Sequence, residues 1–417
     1  MKYKKRIVDQ EIERKLESAG AVLIRGPKAC GKTASAKQQC KSILQVDQDV
    51  NVAILMDTAP NRLLKGDAPL LIDEWQFQPK LWDYIRHEVD NRQLTGQFIL
   101  TGSAQPEEHA KMHSGAGRFA VVDMRTMSWQ ELGDSSGLIR LSDLLQNCEL
   151  DATDNPVGLD KIIERIVMGG FPGLMDKKLS QAKDINRSYI QLLAEVDMSR
   201  VSNTKRDPSK VKAVLKSLAR NTATMAEITT IEKDVREKDA IGISRTTVYD
   251  YLDVLQKQMI LEDQPAWNAH MRSSHSLRKK PKRHFADVSL AVAALGADED
   301  WLIKDLNFTG LLFESMVVHD LRIYAQANDA GVFHYHDASG LEVDAIVQKA
   351  NGDWSAFEIK LGTAQLDEAA QNLLSFQSKI DLTKQPAPKS LNIITGTGIS
   401  HKRKDGVNVI SIGSLGF

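Results

Sequence analysis

Residues Gly26 to Thr33 read GPKACGKT, and no other stretch limits the fold so tightly. The apolar run AVLIR (Ala21 to Arg25) precedes it, and the helix-compatible run ASAKQQCKSIL follows. In that context a G-x-x-x-x-G-K-[ST] segment is a loop whose glycines turn backbone N–H groups inward on phosphate oxygens, with a helix N-terminus adding its dipole. The residues expected to cradle phosphate are Gly26, Pro27, Lys28, Ala29, Cys30, Gly31, Lys32, Thr33 and Ala34. Lys32 would neutralise the terminal phosphates and the Thr33 hydroxyl would ligate a metal, so the implied cofactors are ATP and Mg2+.

Such a loop needs a sheet to stand on. VAILMD (Val52 to Asp57), PLLIDE (Pro69 to Glu74) and QFILTGS (Gln97 to Ser103) are further short apolar runs, separated by helix-compatible segments. With AVLIR they are expected as buried strands of a parallel sheet with covered faces, an α/β fold. PLLIDE ends in adjacent acids. Asp73 would lie at the carboxyl edge near Thr33 and the metal, and Glu74 would polarise an attacking water; the plain alternative is two solvated acids at a strand end. Thr101 or Ser103 would sense the terminal phosphate, or simply form the strand-to-loop turn. Arg118, in SGAGRF, would extend its guanidinium toward a nucleotide, on the same or a neighbouring subunit, or make a surface ion pair.

Composition narrows what surrounds this core. At roughly 100–200 residues per domain, 417 residues argue for several domains. The 42% hydrophobic and 26% charged content excludes wholesale disorder. Fifty-four Lys and Arg against 55 Asp and Glu exclude a chain basic throughout, so any nucleic-acid site must be local. The three cysteines, Cys30, Cys40 and Cys148, show no metal spacing and fit a reducing compartment. No apolar run reaches the ~18 residues needed to span a bilayer. The expectation is a cytoplasmic protein without a membrane partner.

Beyond the core, MGGFPGL (Met168 to Leu174) punctuates a charged helical region. From about Pro208 to Asp263 the pattern is helical. ISRTTVYDYLDVLQKQMIL resembles the second half of a helix-turn-helix, with Ser244 as N-cap and Arg245, Thr246 and Thr247 at its exposed start. Asp250, Asp253, Glu262 and Asp263 make that helix and its exit acidic for a DNA reader. The run from Arg272 to His284 is the dense basic cluster of the chain, either a phosphate-binding strip or a solvated connector.

Near the C-terminus LEVDAIVQ and WSAFEIKL alternate as strands across the polar turn KANGD. Alternation puts Asp344 on one side with Glu342 and Ile346, and Glu358 with Lys360. A hairpin would gather Asp344, Glu358 and Lys360, two carboxylates for Mg2+ and a lysine to orient water at a phosphodiester. That arrangement resembles the PD-(D/E)xK nuclease fold, with Glu314 of GLLFESMV matching the acid often contributed by that fold's first helix; here Val343 stands where the leading proline would be. A mixed-charge surface hairpin is the alternative. His334 and His336 lack a third ligand at fitting spacing and are expected as partly buried strand residues.

GPKACGKT, LLIDEWQ, QFILTGSA, GAGRF and GGFPGL occur in the order that resembles a large prokaryotic family of AAA-type ATPases carrying the C-terminal domain DUF4143, and RKKPKRHFADVSLAVAALG, GLLFESMV, LEVDAIV and FEIKLG resemble its later blocks. The resemblance implies an AAA-type P-loop ATPase core at 1–150, a helical lid and winged-helix-like region at 151–285, and a nuclease-like domain at 286–417. It implies an ATP hydrolase coupled to a DNA-acting tail. The alternative is a nucleotide-gated, DNA- or partner-binding regulator with an inactive tail. A homo-oligomer and a separate protein partner both remain open.

Overall fold

In the computed structural model, residues 3–102, 114–146, 148–150, 155–200, 206–268 and 280–417 are described. Ser103 and residues 272–279 of the basic run lie outside them. Contacts divide the chain into two units: residues 1–126 with short pieces at 201–203 and 255–259, and the remainder.

The first unit carries five strands: β1 (Ala21–Arg25), β2 (Ser42–Gln45), β3 (Leu70–Asp73), β4 (Phe98–Gly102) and β5 (Phe119–Asp123). Every pairing is parallel, in the order β2-β3-β4-β1-β5. The central strands β3 and β4 are buried along their whole length, which is why they read as unbroken apolar runs. One sheet face, with Val22, Ile24, Leu71 and Ile99, packs with Ile12 and Leu16 of the helix Val8–Ser18. The other, with Ala21, Leu23, Leu70 and Ile72, packs with Trp75, Trp82 and Ile85.

One expected strand is a helix. VAILMD lies in the helix Asn51–Thr58, and the missing strand is SILQ, which had looked like the end of the preceding helix. Val52 and Met56, four residues apart, are buried while Ile54 is exposed. The Asp49 carboxylate accepts the Asn51 N–H at 2.9 Å where the helix begins. A short apolar run satisfies both periodicities, so only its partners decide. β5 was not anticipated.

In the second unit, β6 (Ile139–Arg140) pairs in parallel with the C-terminal β15 (Leu415–Gly416). The segment after Thr126 therefore falls in the same unit as the far end of the chain. Helices Leu159–Met168, Leu179–Leu192, Pro208–Arg220, Ile228–Lys238 and Arg245–Lys257, the last as far as residue 254, follow. Ser244 caps the last of them, accepting the Thr247 N–H at 3.2 Å. Next come the antiparallel strands β7 (Leu261–Gln264) and β8 (Lys282–Phe285). Among the described residues, no helix is long and apolar enough to cross a membrane.

The last sheet holds β9 (Ala330–His336), β10 (Glu342–Lys349), β11 (Trp354–Lys360), β12 (Leu391–Thr395), β13 (His401–Lys402) and β14 (Asn408–Ser411), in the order β13-β14-β12-β11-β10-β9. β9, β10 and β11 are antiparallel neighbours, while β11, β12 and β14 run parallel. Helices Leu306–Ala327 and Leu366–Ser378 pack on it. The β9–β10 register shifts between Val343 and Ile346. Val343 and Ile346 consequently enter one apolar cluster, and Ile346 does not share the Asp344 face as strict alternation predicts.

Trp354 is fully buried in that cluster, its ring centroid 4.8 Å from Trp267. Trp354→Ala is expected to lower the stability of the second unit by about 3–5 kcal/mol, read as a shift of its denaturant midpoint.

Candidate functional site

Two sites emerge, one in each unit. At the carboxyl edge of the five-stranded sheet, β1 ends in the loop that leads to the helix Lys32–Gln39. Gly31 has φ 106°, a left-handed conformation that favours glycine. Any Cβ on Gly26 would strike the Met124 carbonyl, so that position must also be glycine. Lys32 is buried, and its ammonium donates to the carbonyls of Gly26 and Pro27 at 2.9 and 2.8 Å. Behind the loop, the buried Arg6 donates to the Cys30 carbonyl at 3.0 Å and to the Arg125 carbonyl at 2.9 Å. Arg6 was not singled out from sequence; an arginine in a basic N-terminal run carries no spacing signal.

Parallel register sets Asp73 beside Thr101. The Asp73 carboxylate accepts the hydroxyls of Thr33, at 2.8 Å, and Thr101. Thr33, Asp73 and Thr101 thus form one hydrogen-bonded chain linking helix, β3 and β4. The Thr101 hydroxyl is directed to Asp73, which makes it the support of that carboxylate. A hydroxyl and a carboxylate are hard oxygen donors of the kind Mg2+ prefers, so this end of the chain fits the metal. Glu74, half-buried at φ 54°, accepts the Gln76 amide. Arg118 forks onto Asp90, with Nε to Oδ1 at 2.8 Å, as a half-exposed pair.

In the second unit the hairpin gathers Asp344, Glu358 and Lys360, the three residues that strand spacing put together, and the helix Leu306–Ala327 adds Glu314, which only the resemblance had pointed to. Lys360 lies 2.7 Å from Glu358 and 3.3 Å from Asp344. The Ile359 N–H donates to Asp344 Oδ2 at 2.8 Å, and Asn372 donates to Glu358 Oε1 at 2.7 Å. A residue not anticipated stands among them. Lys282 of β8, only 2% exposed, places its ammonium 2.7 Å from Glu314, 2.6 Å from Glu342 and 3.6 Å from Asp344. Burial alone would lower the Lys282 pKa, but Glu314, Asp344 and Glu342 outweigh it and hold it above the ordinary value. Burial, reinforced by Asp344, pushes the Glu314 and Glu358 carboxyls up. Burial also opposes the charge on Asp344, yet Lys282 and Lys360 keep its pKa below the usual range. Among the described residues, no group of three or more His, Cys, Asp or Glu is arranged to hold a metal ion.

The described end of the basic run is paired within the chain. Lys280 meets Glu227, Arg283 lies 3.6 Å from Asp263, and Lys282 is in the acidic cluster. Arg245, at the start of its helix, bonds Glu232 at 3.0 Å; Thr246 is exposed. His334 is buried and donates from Nε2 to the Lys280 carbonyl at 3.0 Å, whereas His336 is half-buried.

Residues 18–133 match the family model described as an AAA domain, and residues 309–415 match a domain of unknown function, DUF4143. Residues 159–300 match another, DUF8612. Uncharacterised proteins of Mycobacterium tuberculosis and Mycobacterium bovis are each 23% identical over 368 residues, covering 86% of this chain and 74% of theirs. A Walker-type ATPase of Pyrococcus abyssi aligns with a TM-score of 0.42 and 12% identity, covering 69% of this chain and 94% of its own, a distance at which activity does not transfer.

Burial pushes the His334 pKa down from 6.5 to about 4. The histidine is therefore neutral when folded, and the unfolded chain takes up the proton first. Its contribution to stability is full above pH ~6.5 and is lost as pH falls toward ~4. His334→Gln is expected to flatten that part of the stability–pH curve of the second unit, measured by chemical denaturation.

Proposed function

We propose, from the match of residues 18–133 to an AAA domain and of residues 309–415 to DUF4143, that this chain binds and hydrolyses Mg-ATP. The hydrogen-bonded chain Thr33–Asp73–Thr101, beside a loop with its required glycines, carries this reading. Lys32 would exchange two backbone carbonyls for phosphate oxygens. Mg2+, when bound, supplies charge neutralisation across the phosphates, and Thr33 and Asp73 would hold it. Glu74, oriented by Gln76, would position the attacking water. Arg118 would have to leave Asp90 before it could act on a nucleotide in either subunit, so the surface-pair reading has more support.

For the rest of the chain, the favoured role is a nucleotide-gated regulator, acting in the cytoplasm on DNA or a protein partner through modules that do not themselves cleave. A PD-(D/E)xK-like catalytic tail would need Mg2+ on Glu314, Asp344 and Glu358, with Lys360 orienting water. The ammonium of Lys282 among those carboxylates favours binding over cleavage. Three helices followed by the β7–β8 pair support a winged-helix-like middle. Phosphate or base contact by Arg245 would first have to replace its Glu232 bond.

Lys32→Ala is expected to abolish binding of a fluorescent ATP analogue; unchanged affinity would refute the site. Glu74→Gln should keep that binding and lose about 100-fold or more in phosphate release, the usual contribution of a positioned base. Phosphate release with and without duplex DNA tests the gating: a rate that DNA leaves unchanged removes DNA as the partner.

A further inference from the structure

The acidic cluster of the second unit differs from a metal site in one respect that its sequence motif conceals. Five of the six carboxylate oxygens of Glu314, Asp344 and Glu358 already face an N–H or ammonium group. Glu314 Oε1 meets Lys282 at 2.7 Å, and Asp344 Oδ1 faces the same ammonium at 3.6 Å. Asp344 Oδ2 accepts the Ile359 N–H and lies 3.3 Å from Lys360. Glu358 gives Oε1 to Asn372 and Oε2 to Lys360, each at 2.7 Å. A divalent ion entering here must displace at least one ammonium from a pocket in which Lys282 and Glu358 are almost wholly buried.

We propose that Lys282 is the resident cation of this cluster, occupying the place of a divalent metal and holding the C-terminal domain closed to metal-dependent phosphodiester chemistry. Its position follows from the fold. Lys282 begins β8, which pairs with β7 from Leu261 to Gln264. The buried Gln264 side chain bonds the carbonyls of Phe333 and Asp344, and His284 of β8 bonds Gln264 and Ser315, each at about 3 Å. β8 is thereby anchored to the strand and helix that supply the acids, and its first side chain is directed between them. An ammonium on a four-carbon stem neutralises the carboxylates without the open coordination positions that a metal would bring. Breaking a buried ion pair by removing one partner leaves uncompensated charge, so truncating Lys282 should create a demand for another cation.

The inference rests on the reading that the tail binds rather than cleaves, and different measurements test the two. Nucleotide-free, full-length protein is titrated with Mn2+, with free ion followed by electron paramagnetic resonance. The expected result is no bound Mn2+ in the natural protein that Asp344→Asn removes. Lys282→Met should then bind one Mn2+ per chain, about tenfold or more tighter than the parent, and the added Asp344→Asn should abolish that uptake. Thermal unfolding monitored by circular dichroism establishes that each variant is folded. If Lys282→Met does not fold, the comparison of the natural protein with Asp344→Asn decides the question alone. Stoichiometric Mn2+ in the natural protein that is lost in Asp344→Asn overturns the proposal, as does a folded Lys282→Met that takes up none. Plasmid nicking is read separately. Asp344-dependent Mn2+ uptake by the natural protein without nicking sinks the Lys282 assignment but leaves the binding reading intact, whereas nicking by the natural protein that is lost in Asp344→Asn sinks both.

Discussion

A carboxylate taken out of water loses its hydration, at a cost of several kcal/mol unless fixed donors replace it. Both chemically distinctive regions of this protein are organised by that constraint. Asp73 Oδ1 is met by the hydroxyls of Thr33 and Thr101, neutral donors that bring no positive charge of their own. Asp344 is met by one backbone N–H and two ammonium groups, which compensate its negative charge as well. The first solution leaves an incentive for a cation to bind. The second largely removes it.

The supports of the two sites differ accordingly. Around Asp73, a parallel register sets Thr101 directly opposite, and the loop before Thr33 is shaped by glycines where a side chain would collide. Around Asp344, a shift in strand register, an anchored neighbouring strand and the Asn372 amide converge on side chains. The overall charge of -1 conceals this contrast. The described part of the basic run shows why averages mislead: its lysines and arginine bond to the chain's own carboxylates.

Several particular residues separate what was legible from what was not. GPKACGKT, PLLIDE and QFILTGS were readable because a tight strand-to-helix loop needs fixed glycines and a buried parallel strand needs unbroken apolar sequence. VAILMD misled because a six-residue apolar run meets strand and helix patterns alike. SILQ escaped notice because an edge strand, with Ile43 exposed, need not be apolar throughout. In the tail, the spacing of Glu358 and Lys360 fixed their common face. Ile346 was assigned to the wrong face because a bulge reverses alternation without any mark in the residues. Lys282 was hidden in plain view within a run of bases, where sequence cannot distinguish a solvated lysine from a buried one.

By itself, then, the sequence determined the local chemistry: a glycine-constrained loop between strand and helix, the acids at a strand end, and the carboxylates and lysine of a hairpin. These follow from neighbours close along the chain, where backbone periodicity and glycine geometry act directly. Tertiary structure alone decided which cation answers those buried carboxylates, because that depends on side chains from strands and helices far apart in sequence. Thr33 reaches Asp73 across 40 residues, and Lys282 reaches Glu314 across 32. Electrostatic compensation acts through space, and only the folded chain determines which charges become neighbours.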